Sequence, residues 1–236
     1  RKYDVLFYLT DGSIILPRSK KNFLHIQSPI AGQPAQSLWG KFKLKCWSSI
    51  IYNSDFTKEN SCKNWPLNSL VLYPPVDVIN IKPLKKKKYI LSVGRFFGYL
   101  KDKKHETLIK VFKDLFDSGQ INDWSLHLAG SAGEGDKEYI DCLKELAKDL
   151  PVSFYPNLEY SDLVKLYGES TIYWHAAGFK ETDPTKMEHF GISTVEAMAA
   201  GCVPIVIGKG GQKEIVENDI FGYLWNSINE LEQLTL

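Results

Sequence analysis

Several features that mark common protein classes are missing from this sequence of 236 residues. Its four cysteines contain no Cys-x-x-Cys pair, which argues against a metal or redox site and favours reduced thiols. No apolar run approaches the roughly 18 residues that span a bilayer, and no signal peptide opens the chain. The 29 basic and 28 acidic residues nearly balance, so nucleic acid is not an expected partner. A globular, cytoplasmic protein is therefore expected.

From residue 89 onward, strand-like and helix-like segments alternate. Helical patterns cover 106–116, 137–150 and 161–169, and two more helices are expected near 193–200 and from 212. The first of these two is expected to have Ser193 or Thr194 as its N-cap and to end at Gly201. The helices separate six strand-like segments, at 89–93, 124–129, 152–155, 172–174, 203–207 and 222–224. This order predicts an α/β fold with a complete doubly wound parallel sheet, whose ligand crevice lies at the carboxyl ends of the strands.

The first part of the chain shows four more strand-like runs, at 3–9, 23–26, 49–53 and 69–73, with a capped helix start at Ser54. No helix precedes the first of them, so the chain is expected to start inside a sheet. Four lysines at 85–88 follow Pro83 and mark a linker over 79–88. A solvated linker is the expected role of these lysines. The alternative is contact with an acidic membrane surface, where each charge contributes about 1 kcal/mol.

Residues 172–211 carry the most informative pattern, which is typical of strand, loop, helix, strand and glycine turn. Two helix N-termini open onto one sheet edge there, and their free N–H groups favour an anion such as phosphate. Glu188 and Glu196 flank the first of these N-termini. An ionised carboxylate only accepts hydrogen bonds, so it suits the two hydroxyls of a diol in a sugar or ribose. Ser193-x-x-Glu196 also fits a capping box, which would give Glu196 a purely structural role, and the spacing leaves both readings open.

The segment Glu188-His-Phe-Gly-Ile-Ser-Thr-Val-Glu196, followed by Ala-Met-Ala-Ala-Gly-Cys-Val-Pro, resembles the E-x7-E region of the retaining glycosyltransferases of family four. These are GT-B enzymes, with two Rossmann-like domains, that use nucleotide-diphosphate sugars. The resemblance implies that residues 1–78 are the second half of an acceptor-side domain and that 89–236 form the donor-binding domain without its tail. The sequence is thus expected to be part of a longer protein, and acceptor choice to depend largely on segments outside it.

The resemblance also implies roles for individual residues. Arg95 and Lys103 would neutralise the departing diphosphate, and Glu188 would orient the donor sugar. No two aspartates stand two apart, so the Asp-x-Asp metal signature of the other large glycosyltransferase fold is missing, and no metal or cofactor is expected. The remaining residues expected at the donor site are Gly94, Lys104, Gly130, Tyr155, Asn157, Leu158, His175, Phe190, Gly191, Ile192, Ser193 and, on the ribose, Glu196.

Some of these residues also have an ordinary structural explanation. Without the neighbouring Gly94-Arg95 pair, Lys103 and Lys104 would be attributed to a solvated loop. His175 follows Trp174 and is either a buried core histidine or a residue lining the cleft. His25 resembles a histidine that faces the cleft from the first domain, whereas packing is expected to hold His189. His105 and His127 have no functional indication.

The expected activity is transfer of a hexose, with retention, from a UDP- or GDP-linked sugar to a glycan or lipid-linked glycan. The protein would be cytoplasmic, with peripheral contact to the inner face of a membrane as an option. One alternative is a nucleotide-sugar 2-epimerase of the same fold, and another is a non-catalytic sugar-nucleotide-binding module. The E-x7-E region argues against the epimerase. A dinucleotide dehydrogenase is disfavoured because no strand leads into Gly-x-Gly-x-x-Gly with an acidic residue about 20 positions on.

Overall fold

The structure is a computed structural model that describes residues 3–10, 12–30, 32, 37–61 and 67–236. The chain divides into two compact units, one of Arg1–Pro75 with Asp183–Thr185, and one of Val76–Thr182 with Lys186–Leu236. Each unit contains a sheet in which all paired strands are parallel. The predicted α/β class is therefore confirmed. Among the described helices, none combines the length and the apolar character that a membrane crossing requires.

The first unit is built on a sheet with the strand order β1-β2-β3-β4. Its elements are β1 (Val5–Thr10), β2 (Lys21–Ile26), α1 (Leu38–Leu44), β3 (Ser49–Tyr52), α2 (Asp55–Glu59) and β4 (Ser69–Val71). Ser54 caps α2 as predicted, since its side-chain oxygen accepts from the Thr57 amide at 3.0 Å. Helix α1 was not among the elements predicted from the sequence. Cys62 lies outside the described residues, and the other three cysteines are free thiols.

The second unit contains six strands in the order β10-β9-β8-β5-β6-β7. They are β5 (Lys87–Val93), β6 (Ser125–Gly130), β7 (Val152–Pro156), β8 (Ser170–His175), β9 (Val203–Ile207) and β10 (Tyr223–Trp225). Leu91 of β5 pairs with His127 of β6 on one side and with Tyr173 of β8 on the other. The strand order reverses between β5 and β8, so the crevice outside their carboxyl ends is the expected ligand site of a doubly wound sheet.

Helices cover both faces of this sheet. They are α3 (His105–Asp117), α4 (Lys137–Leu146), α5 (Tyr160–Glu169), α6 (Ile192–Ala199), α7 (Gln212–Ile215) and α8 (Ile228–Thr235). One core cluster packs α3, α4 and α8 against the sheet through residues such as Leu108, Leu143 and Leu231. The other packs α5 and α6 on the opposite face through Leu166 and Ala197. The five predicted helices between the strands are present, and α8 is an addition to them.

Both ends of α6 show how local sequence positions this helix. Its N-cap is Gly191 and its first residue is Ile192, so the N-cap expected at Ser193 or Thr194 was two to three residues too late. At its other end, the Cys202 amide donates to the Ala197 carbonyl and the Gly201 amide to the Met198 carbonyl, each at 2.9 Å. With φ of +74° at Gly201, these bonds form a Schellman motif. The predicted C-terminal glycine is confirmed.

The lysine run after Pro83 differs in part from the solvated linker that was expected. Lys87 and Lys88 begin β5 and pair with Glu169 and Asp123, respectively. Lys86 is partly buried, and its ammonium donates to the Ser170 carbonyl at 2.7 Å and the Ala200 carbonyl at 2.6 Å. Ser170 and Ala200 are the C-caps of α5 and α6, so one cation serves two helix C-termini. Lys85, Lys87 and Lys88 remain exposed, so Lys86 is the member of the run that is withdrawn from solvent.

Replacing Lys86 with methionine should lower the free energy of unfolding by about 1–2 kcal/mol, because two C-terminal carbonyls lose a charged donor. Urea unfolding followed by circular dichroism measures this change. Lys85→Met is the matched control, since Lys85 is exposed and should leave the unfolding midpoint unchanged. Equal midpoints for the two variants would show that the Lys86 bonds contribute nothing net to stability.

Candidate functional site

The candidate site lies where the strand order reverses, at the carboxyl ends of β5 and β8. The segment after β5 brings Lys103, the last residue of β8 is His175, and the segment leading into α6 brings Glu188. The Lys103 ammonium lies 2.7 Å from Glu188 Oε2, and His175 Nε2 lies 3.1 Å from the same oxygen. Three segments that are distant in sequence therefore meet at one carboxylate.

The electrostatics of this cluster favour an ionised Glu188. Burial alone would raise the pKa of Glu188, but the Lys103 ammonium and the His175 ring hold its pKa well below the usual range. Burial lowers the pKa of His175, and the neighbouring Glu188 opposes this shift only in part. A neutral His175 imidazole that donates from Nε2 to an ionised Glu188 carboxylate is consistent with the lowered pKa values of both residues. Both bonds fall on Oε2, so Oε1 of a partly exposed carboxylate stays available as an acceptor.

Close backbone approach explains two glycines of the predicted site. A Cβ at Gly94 would lie 2.7 Å from Cγ of Lys103, so the lysine stem runs directly over this residue. A Cβ at Gly130 would lie 1.9 Å from the Gly94 carbonyl oxygen, a separation that no side chain tolerates. Gly130 thus lets the ends of β5 and β6 approach, and Gly94 lets Lys103 reach Glu188.

Two other basic residues of the predicted site have partners of their own. The Arg95 guanidinium is half-exposed, lies over the Phe97 ring at 4.7 Å and contacts Asp102 Oδ2 at 3.4 Å. Lys104 Nζ lies 2.5 Å from Glu181 Oε1. Arg95 has no bond to Glu188, so it does not join the Lys103 cluster. Its exposure leaves the guanidinium accessible to an anion.

The segment 188–193 forms the entry to α6. Phe190 is buried, Gly191 caps the helix and Ile192 is 46% exposed at its first position. The Gly211 amide donates to the Glu188 carbonyl at 2.8 Å, so the glycine turn after β9 holds the Glu188 backbone. Ser193 accepts from the Tyr173 hydroxyl at 2.8 Å. This entry is thus tied to the glycine turn through Glu188 and to β8 through Ser193.

Glu196 does not close a capping box. Because Gly191 is the N-cap, Ser193 and Glu196 do not occupy the two positions that such a box requires. Instead Glu196 Oε2 accepts from the Tyr167 hydroxyl at 3.0 Å, and burial raises the pKa of this half-buried carboxyl. The capping interpretation of Ser193-x-x-Glu196 is therefore wrong, whereas the ribose role of Glu196 stays a prediction.

The loops after β6 and β7 are joined by one amide. The Asn157 side chain accepts from the Ala132 amide and donates to the Ala132 carbonyl, both at 2.9 Å. The Tyr155 hydroxyl bonds His127 Nδ1 at 3.0 Å, and Leu158 packs onto the core beneath α5. These side chains are therefore engaged within the protein, and their role at the nucleotide base stays a prediction.

Four histidines differ in what surrounds their rings. His175 is buried, as expected of a core histidine, and it is bonded to Glu188, whereas its role in lining the cleft stays a prediction. His25 is buried in the first unit, and the Phe7 ring packs on it edge-on at 5.0 Å. His105 stacks on Phe96 at 4.7 Å, and His127 is buried between Tyr89 and Tyr155. His105 and His127 thus have structural environments, whereas the cleft-facing position of His25 stays a prediction.

Several residues of the site were not foreseen. Tyr167 and Tyr173 hold Glu196 and Ser193, Asp102 contacts Arg95, and Glu181 contacts Lys104. Lys209 reaches the Glu181 carbonyl at 2.8 Å. The only sequence signal among them is Lys209 within the glycine turn, because a lysine flanked by glycines after a buried strand lies at the ligand edge. The tyrosines gave no signal, since aromatic residues in a strand or helix are usually core.

The candidate site lies within the part of the chain that matches a known protein family. Residues 78–233 match the family described as "Glycosyl transferases group 1". Over 203 residues the chain is 30% identical to the human "GDP-Man:Man(3)GlcNAc(2)-PP-Dol alpha-1,2-mannosyltransferase", covering 77% of this chain and 39% of that protein. The protein of the same name from Dictyostelium discoideum is 28% identical, with 71% and 35% covered. The chain thus spans about two fifths of the length of these curated relatives.

Solved structures agree at the level of the fold. A glycosyltransferase from Rickettsia africae superimposes with a TM-score of 0.67 at 20% sequence identity, covering 89% of this chain and 58% of that one. At this identity the match supports the architecture alone.

Proposed function

Because this chain belongs to the glycosyl transferases group 1 family, we propose that it forms the donor side of a retaining enzyme that transfers mannose from GDP-mannose to a lipid-linked glycan. The donor and acceptor are those in the names of its mannosyltransferase relatives. The chain covers 39% of the human relative, so the activity is proposed for the protein that contains this chain.

The observation that carries the proposal is the largely buried Glu188 carboxylate with Lys103 and His175 at the carboxyl ends of β5 and β8. A carboxylate that is largely buried and stays ionised next to a lysine, in the crevice of a doubly wound sheet, suits a ligand that carries both hydroxyl groups and negative charge. Glu188 Oε1 would accept from hydroxyls of the donor sugar. The Lys103 ammonium, already oriented by Glu188, would meet the diphosphate.

Charge on the departing nucleoside diphosphate would be met by side chains and backbone. Arg95 offers a planar, accessible guanidinium, and Lys103 offers a point charge. The first amides of α6 add partial positive charge from the helix N-terminus. Such preorganised groups stabilise a developing negative charge without reorganisation at the moment of reaction. Glu196, held by Tyr167, would accept from the ribose hydroxyls.

Calorimetric titration of the chain with GDP and with UDP, each without added metal, tests the donor site. We expect GDP to bind and UDP to bind at least ten times more weakly. Arg95→Met should weaken GDP binding about 10- to 100-fold, since a charged hydrogen bond contributes about 1.5–3 kcal/mol. Glu196→Gln should weaken it at least tenfold, because one acceptor for the ribose becomes a donor.

Arg18→Met and Glu145→Gln are matched controls, since both residues are exposed and lie outside the site. Equal losses in the controls and the site variants would place binding elsewhere. Tighter binding of UDP would contradict the GDP donor, and binding without transfer by the protein that contains this chain would favour a sugar-nucleotide-binding module.

A further inference from the structure

A second ion pair joins the segment before α3 to the segment between β8 and α6. Lys103 pairs with Glu188 at 2.7 Å, and the next residue, Lys104, pairs with Glu181 at 2.5 Å. The Lys104 side chain is 20% exposed and that of Glu181 is 22% exposed, so the second pair is about as withdrawn from solvent as the first. Two adjacent lysines therefore hold two glutamates of one segment.

The glycine turn after β9 holds the same two glutamates through their backbones. The Lys209 ammonium donates to the Glu181 carbonyl at 2.8 Å, and the Gly211 amide donates to the Glu188 carbonyl at 2.8 Å. Both ends of the segment that runs from Glu181 to Glu188 are thus bound to the same two neighbours. One neighbour is the segment before α3, and the other is the glycine turn.

The backbone of Lys104 is in a conformation that a lysine rarely adopts. Lys104 is the N-cap of α3 and has φ of +57° and ψ of +37°, the left-handed region that favours glycine and asparagine. Within the described part of the chain, its side chain makes no capping hydrogen bond. Strain of this kind persists where surrounding contacts fix the residue, and it is frequent at ligand sites. The ion pair with Glu181 is one contact that offsets the strain.

Charge alone does not explain Glu181. Its carboxylate lies beside a lysine at a site that is proposed to bind a diphosphate, and a nearby negative charge opposes the binding of an anion. A role in positioning accounts for a carboxylate at this place. The lysine that it holds directly precedes α3 and directly follows Lys103.

We propose that Glu181 is a positioning residue that acts, through Lys104, on the ammonium of Lys103. With Lys104 held, the Lys103 side chain keeps its place beside Glu188 and meets the donor diphosphate from there. The pair of Glu181 and Lys104 stays formed while the Lys103 ammonium turns from the carboxylate toward the phosphates. The inference rests on the proposed function for its ligand, whereas the effect on the Lys103–Glu188 pair exists without any ligand.

A measurement without ligand tests the positioning directly. Urea unfolding of the unaltered chain, Lys103→Met, Glu188→Gln and the double variant gives the coupling between Lys103 and Glu188. The same four proteins carrying Glu181→Gln give this coupling without the Glu181 carboxylate. We expect it to fall by about half or more, because Lys103 is then held less firmly. Equal coupling in both series would overturn the proposal, since a merely structural Glu181 lowers the stability of all four proteins alike.

Calorimetry with GDP, without added metal, tests the effect on the ligand. Glu181→Gln should weaken GDP binding about tenfold in the unaltered chain and less than about twofold in Lys103→Met, because Lys103 transmits the effect. Equal losses in the two backgrounds would contradict this transmission. Tighter GDP binding by Glu181→Gln would also overturn the proposal, since charge alone predicts that result.

Glu169→Gln is the matched control. Glu169 pairs with Lys87 at 2.7 Å, and its side chain is 19% exposed, but Lys87 begins β5 and lies at the opposite end of that strand. This variant should change neither the coupling nor the GDP affinity. Changes as large as those of Glu181→Gln would contradict a specific role of Glu181. If the unaltered chain binds no GDP, the proposed donor is wrong, while the coupling measured without ligand still decides the role of Glu181.

Discussion

Replacing Lys103 with methionine should destabilise the chain by about 2–3 kcal/mol and weaken GDP binding about 10- to 100-fold. Glu188 is buried and ionised, and its main cationic partner is the Lys103 ammonium at 2.7 Å. Removing one member of a buried pair leaves an uncompensated charge, which costs about 3–5 kcal/mol when burial is complete. The residual exposure of both side chains lowers that figure here.

The double variant Lys103→Met/Glu188→Gln separates the two effects. Without a carboxylate there is no buried charge to compensate, so most of the lost stability should return. GDP affinity should not return, because the cation that meets the phosphates is still absent. Urea unfolding measures the stability, and calorimetry the GDP affinity, of the unaltered chain, the two single variants Lys103→Met and Glu188→Gln, and the double variant. Additive losses of stability would contradict a direct Lys103–Glu188 coupling.

Stability should fall by about 3–4 kcal/mol between pH 8 and pH 5, largely because of two buried histidines. Burial lowers the pKa of His105 to about 4, and burial with the nearby Lys87 lowers the pKa of His127 to about 4. A histidine whose pKa is lower in the folded state stabilises fully above its unfolded pKa, about 6.5, and loses this contribution as the pH falls toward 4. At pH 5 the loss is about 2 kcal/mol for His105 and about 1–2 kcal/mol for His127. His175 acts in the same direction.

His105→Phe tests the largest of these contributions. Phenylalanine keeps the stacking on Phe96 and cannot be protonated, so the stability difference between pH 8 and pH 5 should shrink by about 2 kcal/mol. Unfolding free energies of the variant and the unaltered chain at both pH values are the measurement. Equal pH dependence of the two proteins would mean that His105 is not held neutral by burial.

The regular features of the second unit could be predicted from the sequence. Apolar runs such as 203–207 gave β9 at its observed bounds, and Gly201 gave the end of α6. These predictions succeeded because strand burial on both faces and left-handed backbone at a helix end depend on local residue types. Helix α1 was missed because its local residue types are misleading. Three of its seven residues are large apolar side chains exposed to solvent, so no amphipathic pattern appears.

The expected site residues were named by motif, but their partners were not. The sequence placed Lys103 and Glu188 at the same sheet edge, since β5 and β8 both end there in a doubly wound order. It did not place His175 Nε2 at 3.1 Å from Glu188, or the Tyr167 hydroxyl at 3.0 Å from Glu196. The capping box failed because the helix has its N-cap at Gly191, two residues before Ser193, and this shift moves every capping position.

Residue type and spacing alone thus determined the α/β class, the parallel sheet of the second unit and the motif at 188–196. Each of these depends on periodicity or on backbone preferences within a few positions. Tertiary structure alone decided which groups meet: Lys103 with Glu188, Lys86 with two helix C-termini, and an uncovered apolar face on α1. Contacts between residues 84 to 114 positions apart depend on how strands pair and helices pack, and local sequence does not encode those choices.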